Sequence, residues 1–161
     1  MLQFSRVELQ KSAEISATAD EVWEVVTDWA GVSRWWPSIE EGDLLGPDLA
    51  ECRLIGESGA VPRTRQMTLD NGVAVEEQIF YQDDAARRIC YSKSPTAEVS
   101  GYICTTYVDE IDSHCCVLHL SSFFDVRSPA DRSAVIARFE AIYEKAIFNG
   151  LRRYFAKRAS R

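Results

Sequence analysis

An acidic and a basic residue face each other across a predicted hairpin, and they are the first candidates for chemistry in this sequence. Arg65 precedes the turn sequence Asp70-Asn71-Gly72, and Glu77 follows it. Asn-Gly readily adopts the positive φ of a tight β-turn, so the flanking segments are expected to pair. That pairing places Arg65 directly opposite Glu77, on a face that is otherwise apolar. A carboxylate and a guanidinium in this arrangement would form a charge-assisted ion pair.

The Arg65–Glu77 pair has three interpretations. It is a structural ion pair that fixes the hairpin, or it is a polar anchor for a carbonyl or hydroxyl of a ligand in an apolar pocket. In the third interpretation the register differs and Glu77 faces water. A buried, unpaired carboxyl would also be a candidate general acid or base, whereas close pairing would hold it ionised. The sequence alone leaves these alternatives open.

Strand alternation extends the candidate site beyond this pair. In Val73–Gln82 the odd-numbered residues are the more apolar set, so Val75, Ile79 and Tyr81 are expected to face inward with Glu77. The same argument applies to the other predicted strands. Their inward-facing candidates are Met67, Tyr102, Cys104, Leu118, Leu120 and Ser122.

Tyr102 has two possible roles in this set. A phenol on an apolar face can donate a hydrogen bond to a ligand, or it can be a core side chain that reaches a backbone carbonyl. Tyr102 joins Arg65 and Glu77 as a candidate catalytic residue, because these three side chains could steer proton transfers and enolate charge.

These side chains must be positioned by strands that close around a long helix. Apolar residues repeat at steps of three and four from Ser128 to Arg158, which predicts one amphipathic helix about 45 Å long. Ser128 is its expected N-cap, and Pro129 suits its first turn. Its buried face is expected to carry Phe139, Tyr143 and Ile147, all candidates for ligand contact.

The remaining elements are predicted from local signals. Thr18 and Glu21 have the spacing of a capping box, so a short helix follows the first strand. A second short helical turn covers Val32–Trp36 and ends at Pro37, and a loop then contains Gly42, Gly46 and Pro47. The predicted strands are 4–16, Ala50–Glu57, Arg63–Leu69, Val73–Gln82, Arg88–Ser94, Val99–Ile111 and Cys115–Val126. Consecutive strands joined by short turns favour an antiparallel α+β meander around the long helix.

Composition limits the possible partners and compartments. The chain has 161 residues and a net charge of −7, which favours one domain over 1–161 and argues against a nucleic-acid partner. No signal peptide and no apolar run of bilayer length is apparent, so no stable membrane insertion is expected. Five cysteines without framework spacing favour free thiols and a cytoplasmic location. A monomer or homodimer is expected.

Metal and cofactor chemistry receive little support. His114 and Cys116 could share one face of a strand, but His119 could not join them, because ligands on one strand face need even spacing. No acid stands at a position that would orient a Cys–His nucleophile pair. There is no glycine-rich phosphate loop, so no nucleotide cofactor is expected.

The sequence resembles a known superfamily in three stretches and in its C-terminal helix. The stretches are Ser12–Trp29, Trp35-Trp36-Pro37, and the run from Arg65 through Asn71-Gly72 and Glu77 to Asp83 and Tyr91. They resemble START-like proteins, also called SRPBCC or birch-pollen-allergen-like proteins, and among these the polyketide cyclase/dehydrase type. The resemblance implies a helix-grip fold, in which a curved seven-stranded antiparallel sheet wraps a long C-terminal helix over an apolar cavity.

The resemblance also implies positions and functions. Pocket residues of related proteins match Tyr102 and Leu120, although many relatives have tryptophan at the latter position, and a leucine there would enlarge or reshape the pocket. Trp35 and Trp36 would lie near the cavity mouth, where they could form a lid or pack in the core beneath the second helix, and one of each is favoured. Tyr91 is a further ligand-binding candidate. The expected function is binding of a small hydrophobic or aromatic molecule such as a polyketide, sterol or lipid. The alternatives are a cofactor-independent cyclase, aromatase or dehydratase, and an interaction module with a vestigial cavity.

Overall fold

The computed structural model describes residues 5–37 and 48–161. Its main elements are β1 (Ser5–Ile15), α1 (Ala19–Thr27), β2 (Leu49–Ile55), β3 (Arg63–Leu69), β4 (Ala74–Asp83), β5 (Arg88–Lys93), β6 (Val99–Asp112), β7 (Cys115–Val126), α2 (Arg132–Ala141) and α3 (Asn149–Ala159). The predicted loop with Gly42, Gly46 and Pro47 lies outside the described residues.

One antiparallel sheet contains all seven of these strands, in the order β1-β7-β6-β5-β4-β3-β2. Strands β2 to β7 form a meander of consecutive neighbours. β1 is the edge strand at the other end of the sheet, and it pairs with β7 from Ser5↔Val126 to Ile15↔Cys116. The predicted antiparallel meander and the α+β fold class are therefore confirmed, and the pairing of β1 with β7 was not predicted. Short turns permit this meander because antiparallel neighbours need no crossover.

The short helices after β1 follow their predicted signals. Thr18 Oγ1 accepts a hydrogen bond from the Glu21 backbone N–H at 3.1 Å, and Glu21 Oε2 accepts one from the Thr18 N–H at 3.0 Å. This capping box starts α1. A 3-10 helix at Gly31–Arg34 is the second short helix, and the chain then reaches Pro37.

The C-terminal helix is continuous but changes its pitch. A 3-10 turn at Pro129–Asp131 leads into α2, a π-helical segment at Ile142–Phe148 follows, and α3 completes the helix. The predicted cap by the Ser128 side chain is wrong, because that side chain makes no capping hydrogen bond. The 3-10 turn is closed by the backbone instead, where Asp131 N–H donates to the Ser128 carbonyl at 3.0 Å.

The π-helical segment rotates the phase of the apolar stripe. An i→i+5 turn inserts extra backbone into the helix, so residues after it are displaced around the axis. Tyr143, Ala146 and Phe148 of this segment are all buried. The segment therefore turns a broad apolar face toward the sheet at the middle of the helix.

Candidate functional site

A cavity of about 200 Å³ lies between the C-terminal helix and the inner face of β2–β5. Most of its wall is apolar or aromatic, and three charged side chains interrupt it. The lining residues are Trp35, Trp36, Leu49, Arg65, Met67, Leu69, Val75, Glu77, Tyr91, Lys93, Tyr102, Phe139, Ile142, Tyr143, Ala146 and Ile147. The first two directly follow the second short helix, and the last five come from the C-terminal helix.

The charged centre of this wall is the Arg65–Glu77 pair. The two residues are direct partners in the β3–β4 ladder, as predicted from the turn. Arg65 Nε donates to Glu77 Oε2 at 2.7 Å, and Nη2 donates to the same oxygen. Each side chain is only 10% exposed, so the interpretation with Glu77 in water is wrong. No hydrogen bond from the described residues reaches the second oxygen, Oε1.

Trp29 holds both members of the pair in place. The Arg65 guanidinium carbon lies 3.7 Å from the Trp29 ring centroid, a close cation–π contact. The Trp29 indole N–H donates to the Glu77 backbone carbonyl at 2.9 Å. Trp29 also packs edge-on against Tyr91, with ring centroids 5.0 Å apart. Trp29 lies two residues beyond the end of α1, and its role as a support for the ion pair depends on tertiary contacts.

Three hydroxyl groups form a second polar feature beside the cavity. The Tyr102 and Tyr143 hydroxyls are 2.6 Å apart, and Ser122 Oγ lies 2.7 Å from the Tyr143 hydroxyl. Tyr102 is therefore bonded to another phenol rather than to a backbone carbonyl. Burial raises the pKa of Tyr102 well above its ordinary value and also raises the pKa of Tyr143. The chain of hydroxyls is neutral and links the sheet to the helix.

Most of the predicted ligand-binding residues do reach the cavity wall. They are Trp35, Trp36, Met67, Val75, Glu77, Tyr91, Tyr102, Phe139, Tyr143 and Ile147. A second group lies in the packed core and does not line the cavity, namely Ile79, Cys104, Leu118, Leu120 and Ser122. Their inward orientation is as predicted, but other side chains cover them. Leu120 is therefore not a cavity-lining residue, contrary to its prediction as a pocket residue.

The inward orientation predicted for Tyr81 is also wrong. The β4–β5 register pairs Ile79 with Tyr91 and then Tyr81 with Cys90, so β4 contains one extra residue between them. This bulge shifts the alternation of the strand. Tyr81 is 45% exposed and lies outside the cavity lining.

Five cavity residues were not among the predicted ligand contacts, namely Leu49, Leu69, Lys93, Ile142 and Ala146. Leu69 shares its strand face with Met67, and Lys93 shares one with Tyr91, so alternation could have indicated both. Ile142 and Ala146 reach the cavity through the π-helical segment, which the apolar spacing of the helix did not indicate.

The histidine considered for a metal site lies on the opposite side of the sheet. His119 alternates with the buried Leu118 and Leu120, and its ring stacks on Tyr107 with centroids 4.3 Å apart. Its Nδ1 is 2.7 Å from Ser12 Oγ, and its Nε2 is 3.1 Å from Asp109 Oδ2. Within residues 5–37 and 48–161, no group of three His, Cys, Asp or Glu side chains has metal-ligand geometry. All five cysteines carry free thiols.

A larger depression, of about 390 Å³, lies at the end of α3. Its lining is dominated by charged side chains: Arg34, Arg153, Lys157, Arg158 and Arg161. An apolar ligand would gain little from such a surface, so the smaller cavity is the better candidate site.

An antiparallel sheet that grips a long C-terminal helix over an apolar cavity defines the helix-grip, birch-pollen-allergen-like class of proteins. The family follows from the sequence as well as the fold. Residues 6–156 match the model of the family described as polyketide cyclase / dehydrase and lipid transport. The chain belongs to this family, and the SRPBCC resemblance noted from the sequence is confirmed.

Solved structures with the same fold have little sequence in common with this chain. XoxI from Bacillus cereus superposes with a TM-score of 0.74 at 21% identity, covering 93% of this chain and 96% of that one. An uncharacterized protein from Bacillus thuringiensis gives 0.72 at 19% identity, covering 93% and 99%. Norcoclaurine synthase from Thalictrum flavum, in complex with dopamine and hydroxybenzaldehyde, gives 0.65 at 18% identity, covering 96% and 88%. At this identity the likeness establishes the fold alone.

A search of curated proteins gave no significant sequence match. None of the helices in the described part of the chain has the length and apolarity needed to cross a bilayer.

Proposed function

We propose that this protein binds a small hydrophobic or aromatic molecule, polyketide-, sterol- or lipid-like, in the cavity between β2–β5 and the C-terminal helix. The observation that supports this most directly is the composition of the wall, which is apolar except for a few fixed polar groups. Ligand pockets typically combine apolar walls with a small number of oriented polar contacts.

The Arg65–Glu77 pair is suited to orient such a ligand. Both side chains are held by Trp29 and by each other, so they lose little conformational entropy when a ligand arrives. Glu77 Oε1 can accept a hydrogen bond from a ligand hydroxyl. A cavity of about 200 Å³ lies below the usual range for drug-sized ligands. We therefore expect compact, fused-ring aromatic molecules to bind better than full sterols.

Ligand binding can be tested by thermal unfolding against a panel of aromatic polyketides, sterols and fatty acids, together with mass spectrometry of what co-purifies. A ligand at 100 times its Kd should stabilise the fold by about 2.7 kcal/mol, which corresponds to roughly 5–10 °C in Tm. Ala146→Leu places a larger side chain in the cavity wall and should abolish this shift. Ala137→Leu makes the same change on the exposed side of α2 and should leave the shift intact.

Two outcomes would contradict the proposal. If no compound of the panel stabilises the protein and nothing co-purifies, the cavity does not serve small-molecule binding, and an interaction module with a vestigial cavity is then favoured. If Ala146→Leu binds as tightly as the unaltered protein while remaining folded by circular dichroism, the ligand binds elsewhere.

A second candidate function is a cofactor-independent cyclase, aromatase or dehydratase. The specific observation that favours it is that Glu77 Oε1 accepts no hydrogen bond from the described residues, and that Glu77 and Tyr102 line the same cavity. In an aldol-type ring closure, Glu77 would take a proton from the carbon next to a substrate carbonyl. The enolate carbon would attack a second carbonyl, and the proton would return to the new alkoxide. Arg65 and Tyr102 would stabilise the oxyanion charge.

The enzyme function is tested by Glu77→Gln with a ligand that the panel identifies. The amide keeps the shape of the side chain but cannot take the proton, so turnover should fall at least 100-fold while Kd changes only a few-fold. Glu76→Gln is the matched control, because Glu76 lies on the opposite, exposed strand face and bonds Gln66. Unchanged turnover in Glu77→Gln would remove Glu77 from the mechanism and leave the binding function standing.

A further inference from the structure

The cavity contains a cation that the ion pair does not use. Lys93 is the last residue of β5 and lines the cavity. In the β4–β5 ladder it is the direct partner of Glu77, which is in turn the direct partner of Arg65. Three charged residues therefore form a row across neighbouring strands, in the order positive, negative, positive.

Glu77 is engaged on the Arg65 side of this row. Both guanidinium N–H bonds go to Oε2, and no ion pair joins Glu77 to Lys93. The nearby Glu98 is paired with Arg138. Within the part of the chain that the structure describes, Lys93 makes no ion pair with a carboxylate. The cavity wall thus contains two cationic side chains and one anionic side chain, in a protein whose net charge is −7.

The position of the Lys93 ammonium group adds to this imbalance. Nζ lies 5.5 Å from the Phe139 ring centroid and 6.0 Å from that of Tyr102. The aromatic rings shield one side of the ammonium group from water, and they compensate only part of its lost hydration. A charge in such a surrounding is stabilised most by an opposite charge that also accepts its hydrogen bonds.

We propose that the ligand of this cavity is an apolar or aromatic acid, whose single carboxylate binds Lys93 Nζ. The carboxylate adds a second negative charge to the row formed by Arg65, Glu77 and Lys93. This rests on the proposed binding function and narrows its ligand class. The apolar body of the acid lies along the wall formed by Met67, Leu69 and Val75. The carboxylate lies at the Lys93 end, where Lys93 also borders an outer groove next to Ser94 and Thr96.

The proposal is tested with pairs of compounds that differ only in charge. We would measure Kd for 1-naphthoic acid against 1-naphthalenemethanol, and for decanoic acid against decanol, by calorimetry at pH 7.5. A charge-assisted contact is expected to favour each acid by roughly 10- to 100-fold. The preference should weaken at high salt, because the Lys93 site is only partly buried.

Variants assign the preference to Lys93. Lys93→Met keeps the length and the apolar stem of the side chain, so it should remove the preference for the acids and leave alcohol binding within about two-fold. Lys93→Arg should retain the preference, and it remains informative if the Met variant does not fold. Lys145→Met removes an exposed lysine from the C-terminal helix, and it should leave the preference for the acids unchanged.

Each outcome decides between this inference and the proposed function. If alcohols and acids bind the unaltered protein equally, the inference fails and the binding function stands. If the acid preference persists in Lys93→Met, or is lost in Lys93→Arg while that variant still binds the alcohols, the ammonium group is not the carboxylate site. If neither acids nor alcohols bind, and the wider panel fails as well, the binding function fails too.

Discussion

The two halves of the inner sheet face are filled very differently. On β7, Leu118 and Phe124 are completely buried, as are Cys116 and Val126. On β3, Met67 and Leu69 face the same interior but remain half-buried. The strands alternate in both halves, so alternation alone does not create the difference. The difference between the halves shows that an inward-facing apolar residue either fills the core or lines a cavity, depending on which element packs opposite it.

The half of the sheet formed by β6 and β7, the packed half, is covered from two directions. α1 packs across β6 and β7, and α2 packs against β1. Phe124 stacks on Phe139 of α2 with centroids 4.6 Å apart, and Tyr102 stacks on Phe139 at 5.5 Å. The β2–β4 half faces the π-helical segment, whose residues border the cavity. Stability and the candidate site are thus largely assigned to different strands.

Truncations in the two halves should separate these roles most strongly. Phe124→Ala removes a fully buried ring from the packed half and should cost about 3–5 kcal/mol of unfolding free energy. Met67→Ala enlarges an existing cavity, and it should cost about 1 kcal/mol. Urea unfolding of both variants measures the difference. Similar costs would mean that both halves are packed equally well.

The ion pair should behave as a coupled unit inside the loosely filled half. Arg65→Met leaves the buried Glu77 carboxylate without its partner, so the expected cost is about 3 kcal/mol. Adding Glu77→Leu removes the unpaired charge and should restore most of that stability. Chemical denaturation of the single and double variants completes the cycle. Additive costs would show that the two side chains do not interact in solution.

An exposed pair supplies the control for that cycle. Arg6 Nε lies 2.8 Å from Asp125 Oδ1 on the outer side of the sheet, where the Arg6 side chain is 57% exposed. Water and salt screen such pairs, so Arg6→Met should cost less than about 1 kcal/mol.

Alkaline pH should act through buried thiol and phenol groups in and beside the hydroxyl chain, and this is the smallest of the expected effects. Burial raises the pKa of Cys104 from 9.0 to about 11, and it raises the pKa of Tyr102 and Tyr143. The unfolded chain therefore loses these protons first as pH rises, and stability declines from about pH 9 upward. Urea unfolding at pH 8, 9 and 10.5 should show this decline, with a shallower slope in Tyr143→Phe and an unchanged slope in Met67→Ala. A slope that Tyr143→Phe does not alter would contradict the role of the hydroxyl chain.

The fold was predictable because its signals are local. The Asn71-Gly72 turn predicts the β3–β4 hairpin, and the turn length then sets the register that brings Arg65 opposite Glu77. The capping box at Thr18 and the apolar stripe of the C-terminal helix likewise depend on residues a few positions apart. Each of these features was confirmed.

Apart from the Ser128 cap, the errors concern features that local patterns do not contain. A one-residue bulge after Ile79 reverses the alternation, and Tyr81 therefore lies outside. The π-helical segment brings Ile142 and Ala146 to the cavity, although the helical spacing predicted no change of pitch. Both are small changes of backbone geometry, and each changes which side chains can reach the site.

The sequence by itself determined the antiparallel meander, the long C-terminal helix and the pairing of Arg65 with Glu77, because turn chemistry and side-chain periodicity are properties of neighbouring residues. Only the tertiary structure decided that Leu118 and Leu120 fill the core while Met67 and Val75 line a cavity. It also decided that Lys93 enters that cavity without an ion-pair partner among the described residues. These outcomes depend on which element packs over each strand, and strand periodicity carries no information about the opposing surface.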